Sequence, residues 1–130
     1  TAGTTVTIGT SGVPVVIGGT WVDENNSHFT ANLTGRVTYT GINPSFAPVS
    51  VSITADPATG SNKDFSIGIG VNGTAVAASF VPARASAGDL VSGTVIWEIL
   101  FTNGDYAEAF LQNDTDTTNF TVSKAVLRIN

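Results

Sequence analysis

Apolar and polar side chains alternate with a period of two along most of the chain, and Gly, Asn, Asp and Pro separate the alternating runs. That period sends successive side chains to opposite faces of an extended strand. The runs predict strands over Thr4–Ile8, Val13–Ile17, His28–Leu33, Arg36–Thr40, Val49–Ala55, Asp64–Val71, Thr74–Phe80, Gly93–Phe101, Tyr106–Gln112 and Asn119–Ile129. About ten short strands at about ten-residue spacing indicate an all-β fold, an antiparallel sandwich or barrel. Helical composition is confined to "VPARASAGDL", where Pro82 and Gly88 interrupt it, so this stretch reads as a loop.

Two Asn-Gly dipeptides punctuate the pattern. Asn72-Gly73 divides "FSIGIGV" from "TAVAASF" and predicts a tight hairpin. Asn103-Gly104 stands likewise between "VIWEILF" and "DYAEAFL". Gly68 and Gly70 strip one face of their strand of side chains, which suits close approach of another backbone, a bulge or a subunit contact. The Gly- and Thr-rich start carries Val6, Ile8, Val15, Val16 and Ile17 as apolar anchors. Residues 1–20 therefore read as an edge strand or docked arm, and 21–130 as the body of one globular domain.

Composition narrows the functional classes. Only 12% of residues are charged, against a usual share of about a quarter. Thr, Ser, Asn and Gly cover the surface instead, as in secreted or virion-exposed β-proteins. The net charge is −5, and Arg36, Lys63, Arg84, Lys124 and Arg128 are widely scattered in the sequence. Nucleic-acid binding and an anionic membrane surface both need clustered cations, so neither partner is expected. Without cysteine there is no disulfide framework and no thiolate metal site.

Candidate chemistry is sparse. Asp105 and Glu108 lie three apart, an odd offset that puts them on opposite faces of a strand, so they cannot flank one scissile bond. Glu98 misses Glu108 as well. His28 is the single histidine, and no Gly-x-Ser-x-Gly elbow accompanies it. The chain is expected to be no enzyme and to hold no cofactor. Asp114 and Asp116 in "NDTDTTN" offer oxygens to a hard cation such as calcium, yet the EF-hand glycine and bidentate glutamate are missing. A solvated strand connection is the plainer reading. Among the aromatics, Trp21 is the candidate for stacking on a glycan, while Trp97 in "TVIWEILF" reads as core.

The order of several motifs resembles a known family. "NNSHFTANLTGRVTYTG", "FSIGIGVNGTAVAASF", "GTVIWEILFTNGDYAEAFLQND" and "NFTVSKAVLRIN" together resemble trimeric jelly-roll domains of the C1q/TNF-like type, especially those of bacteriophage structural proteins. The resemblance covers about Thr20 to the C-terminus. It implies a jelly-roll β-sandwich and a homotrimer without enzymatic activity. It also implies a place on the virion surface, as a capsid decoration or head-fibre protein bound to other virion proteins. A receptor-binding tip of a tail fibre or spike, contacting a host glycan or receptor, is the alternative, and a carbohydrate-binding module is a further one. The resemblance turns Asn103-Gly104 from a hairpin into a corner between sheets, and makes Tyr106 and Phe110 candidates for the trimer interface, with packing inside the sandwich as the equal alternative.

Overall fold

The structure is a computed structural model that describes residues 4–18, 28–32 and 34–129. Among the described residues eleven strands form: β1 (Thr4–Val6), β2 (Val15–Val16), β3 (Phe29–Ala31), β4 (Val37–Tyr39), β5 (Ser45–Pro57), β6 (Lys63–Val71), β7 (Thr74–Ala75), β8 (Val81–Ala85), β9 (Val91–Phe101), β10 (Tyr106–Asn113) and β11 (Phe120–Ile129). One sheet has the order β1-β11-β5-β9. The other runs β3-β4-β10-β6-β7, with β2 also paired to β10 and β8 to β6. Every pairing between strands is antiparallel.

Set aside the short β2, β3 and β7, and the strands order as β1-β11-β5-β9 facing β4-β10-β6-β8. Apart from β6 and β8, which are neighbours in one sheet, sequential strands thus alternate between sheets in the doubled Greek key of a jelly roll. The antiparallel sandwich and its jelly-roll winding agree with the sequence reading.

Alternation builds the core. On β5, Ala47, Val49, Val51, Ile53 and Ala55 all point inward and are buried. Phe65, Ile67 and Ile69 of β6 and Ala107, Ala109 and Leu111 of β10 face them from the second sheet. Phe29, Tyr39 and Phe101 form one aromatic cluster, with centroids 5.2 to 6.1 Å apart. Phe65 and Phe120 form another pair at 4.8 Å. Each fully buried side chain of this size contributes about 1.5–3 kcal/mol by leaving water.

The turns differ from each other as expected. Asn72 and Gly73 both adopt positive φ, 54° and 81°, and close the β6–β7 hairpin in the mirror-image turn that suits strand twist. Asn103-Gly104 instead carries the chain from β9 in one sheet to β10 in the other, and is a corner.

Two segments depart from the sequence pattern. "VPARA" is a strand, β8, and not a loop. Its inward residues are the small Ala83 and Ala85, which mute the alternation, and Pro82 is tolerated because β8 sits at a sheet edge. Thr74–Phe80 is extended only over Thr74–Ala75. A 3₁₀ turn follows at Ala77–Ser79, because the Ser79 hydroxyl accepts from Ile69 N at 2.9 Å and donates to Val76 O at 2.7 Å.

Candidate binding trough on the first sheet

The outward face of β9, β5 and β11 carries the other half of the alternation. Ser50, Ser52 and Thr54 project from β5 between the inward valines and isoleucine. The register sets Ser52 opposite Thr94 and Thr54 opposite Ser92 on β9. Their hydroxyls bond across the strands, Ser52 Oγ to Thr94 Oγ1 at 3.0 Å and Thr54 Oγ1 to Ser92 Oγ at 2.7 Å. A hydroxyl carries one donor and two acceptor sites, so each rung keeps hydrogen-bonding capacity toward solvent.

β11 supplies the other wall. Val122 pairs with Ala55 and Lys124 with Thr54, so two residues of β11 pass one residue of β5 at a bulge around Ser123. The bulge reverses the phase of the strand. Phe120 and Val122 point inward before it, and Ala125 and Ile129 after it, which leaves Lys124, Val126 and Arg128 outward. Ser123 Oγ donates to Thr54 O at 3.2 Å and holds the bulge against β5. Ser50, Ser52, Thr54, Ser92, Thr94, Lys124, Val126 and Arg128 line a trough of about 300 Å³.

Toward the other end of β5 and β9 the same face turns apolar. Phe46 opposes Leu100, and Ile96 opposes Ser50. Phe46 is 65% exposed and Ile96 68%, with Leu100 also exposed. Glu98 stands among them, opposite Pro48. Trp97 is no core residue. It has the inward phase, opposite Val49, but β9 ends its sheet and leaves the residue 38% exposed.

Around Gly68 and Gly70 the outward face of the second sheet is covered by its own side chains. Tyr106, Glu108 and Phe110 share one side of β10, next to Gly70 and Gly68 of β6. A Cβ on Gly68 would lie 2.3 Å from the Phe80 ring, and one on Gly70 would lie 2.1 Å from the Phe110 ring. The bare glycines therefore seat aromatic rings of the same chain. Phe110 keeps 4% of its surface. The Arg36 guanidinium sits 4.3 Å from the centre of the Tyr106 ring and donates to Glu108 Oε2 at 3.3 Å. Glu108 is a buried carboxylate, 5% exposed, on a face that alternation alone marks as outward.

The carboxylates do not converge. Asp105 accepts from Asn72 Nδ2, Thr102 N and Thr102 Oγ1, each at 2.9 Å, and these bonds hold its carboxyl below the usual carboxylate range. Glu98 lies in the first sheet and Glu108 in the second. No pair of acids flanks a cleft among these three. His28 is exposed at the entry to β3.

In "NDTDTTN" the organising group is the buried Asn113. Its side-chain oxygen accepts from Thr115 N and Asp116 N, and its amide nitrogen donates to Thr118 O. Lys63 Nζ bonds Asp116, and with Thr118 holds that carboxyl well below its usual range. Asp114 accepts from Ser66 Oγ and Gln112 Nε2, both at 2.6 Å. Both Asp116 oxygens are engaged, Oδ2 by Lys63 Nζ and Oδ1 by Asn113 Nδ2 and Thr118 N, and among the described residues no group of three His, Cys, Asp or Glu side chains forms a metal site. Trp21 lies outside the described residues.

No protein-family model matches the chain, and neither does any curated protein. Solved structures do, each at a TM-score below 0.5. A sugar-binding protein, the EclA C-terminal domain, matches 98% of this chain and 79% of its own at 11% identity, TM-score 0.48. The CBM22-1 xylan-binding domain from Paenibacillus barcinonensis matches 98% of this chain and 88% of its own at 12% identity, TM-score 0.44. Rabbit GITRL, a TNF-family ligand, matches 78% of both chains at 15% identity, TM-score 0.40. The likeness is one of strand arrangement.

Proposed function

We propose that this chain is a non-enzymatic jelly-roll module that binds an oligosaccharide in the trough on β9, β5 and β11. The observation that carries the reading is the cross-strand ladder of hydroxyls in a depression of about 300 Å³. Each rung of such a floor keeps one donor and three acceptor sites toward solvent, and sugar hydroxyls can use both kinds. No aromatic ring lines the trough, so the contact is polar and weak for each site, and it suits repeated presentation on an extended glycan. Screening against a panel of immobilised glycans tests it, with Thr94→Trp filling the trough from an exposed position. Binding that disappears in the variant supports the reading. A panel with no binding at all, or binding untouched by the variant, contradicts it.

The apolar end of the same face favours a second reading. Phe46, Ile96 and Leu100 form an exposed greasy strip on a chain short of surface charge, and a patch of this kind marks an interaction surface. In this reading three copies meet through the strip and form a decoration or fibre component of a virus particle. Sedimentation at micromolar concentration decides it: a trimer that Ile96→Glu dissociates supports assembly, and a stable monomer rules it out.

A further inference from the structure

The chain has five cationic side chains, and three of them are spent on carboxylates. Arg36 pairs with Glu108, Lys63 with Asp116 and Arg84 with Asp64. Lys124 and Arg128 have no carboxylate partner among the described residues, although acids outnumber bases by ten to five. Both line the trough. They stand four residues apart on one face of β11, about 13 Å at the usual rise per strand residue.

Their position depends on the bulge at Ser123. Without that extra residue Lys124 would share the inward phase of Val122. The bulge delivers an ammonium to a hydroxyl-lined depression, where no carboxylate among the described residues pairs with it. Among the described residues the acids nearest the trough are Asp56, Glu98 and Asp89, the last in the turn that precedes β9. Asp56 lies beyond Thr54 on β5 and accepts from Gly88 N at 2.9 Å. Glu98 stands opposite Pro48, past the hydroxyl rungs.

We infer that the trough selects acidic oligosaccharides, with Lys124 and Arg128 each taking one anionic group of the glycan. This rests on the oligosaccharide reading above and narrows it. The hydroxyl ladder meets the sugar hydroxyls, and the two cations form charge-assisted bonds to carboxylate or sulfate groups on residues that the separation of about 13 Å spans. The overall negative charge works against polyanions in general, so the preference is local to this face.

The test is calorimetric titration of the whole chain with oligosaccharides of equal length. The probes are alginate tetrasaccharides carrying carboxylates, heparin-derived tetrasaccharides carrying sulfates, neutral cellotetraose, and tripolyphosphate as an anion without sugar. At least one acidic sugar is expected to bind about tenfold tighter than cellotetraose. Lys124→Gln and Arg128→Gln should each weaken it about threefold and together erase the preference, with an unchanged melting temperature because both side chains are exposed. Raising salt should weaken the acidic probe and leave the neutral one alone. Equal binding of neutral and acidic sugars, or a double variant that keeps the preference, overturns the inference while the oligosaccharide reading stands. Tripolyphosphate binding as tightly as the acidic sugar also overturns it. Failure of every sugar brings down the underlying reading itself.

Discussion

Asn72 Nδ2 donates to Asp105 Oδ1 at 2.9 Å, and so ties the β6–β7 hairpin to the corner between β9 and β10. Asn72 also accepts from Tyr106 N at 3.0 Å, while Asp105 holds Thr102 N and Oγ1. One side chain pair thereby joins the two Asn-Gly turns. Asp105→Ala is expected to cost about 1–2 kcal/mol, the worth of a few partly exposed hydrogen bonds. Asn72→Gly keeps the positive φ and loses only the bonds, at about 1 kcal/mol. Because both changes cut the same link, the double variant should lose less than the sum, as urea denaturation would show.

Acid should destabilise the fold through a small set of carboxyls. Asp116, Asp105 and Asp64 are all held below the ordinary range, by Lys63, by Asn72 and Thr102, and by Arg84 respectively. A carboxyl whose folded pKa lies below its unfolded value of about 3.9 stabilises the fold above that value, and the contribution is lost as pH falls through the folded one. Urea midpoints are therefore expected to be flat above about pH 5 and to fall below about pH 4. Asp116→Asn should flatten that fall. A wild-type midpoint constant down to pH 2 would contradict the assignment.

Gly70 has no room for a side chain, because Phe110 Cε1 would lie 2.1 Å from its Cβ. Gly70→Ala is expected to cost about 1–3 kcal/mol as an overpacked site. Shrinking the ring with Phe110→Leu should make room, so that the two changes together cost less than their sum. Chemical denaturation of the four-member cycle measures it.

Much of this fold can be read in local pattern. The inward and outward halves of "VSVSITA" on β5 are visible as alternation, and the positive φ of Asn72 is what an Asn-Gly turn requires. What local pattern cannot carry is which strands become neighbours. β5 lies between β9 and β11, and only that pairing gathers Ser52, Thr94 and Lys124 on one surface. A signal for the trough did exist. The inward residues of β11 fall on even positions through Val122 and on odd ones from Ala125, a phase break that marks the bulge. β8 escaped because alanines bury too little to show alternation, and Trp97 because inward phase on an edge strand does not ensure cover. Phe110 was readable as an outward residue of β10, but not the ring seat that Gly70 provides for it.

Amide chemical-shift mapping during titration with an acidic tetrasaccharide examines the binding surface most directly. Shifts concentrated in residues 50–54 of β5, 92–94 of β9 and 124–128 of β11 are the expected result. Shifts centred on Trp21, on the Tyr106–Phe110 face or nowhere at all would contradict a ligand seated on the hydroxyl ladder.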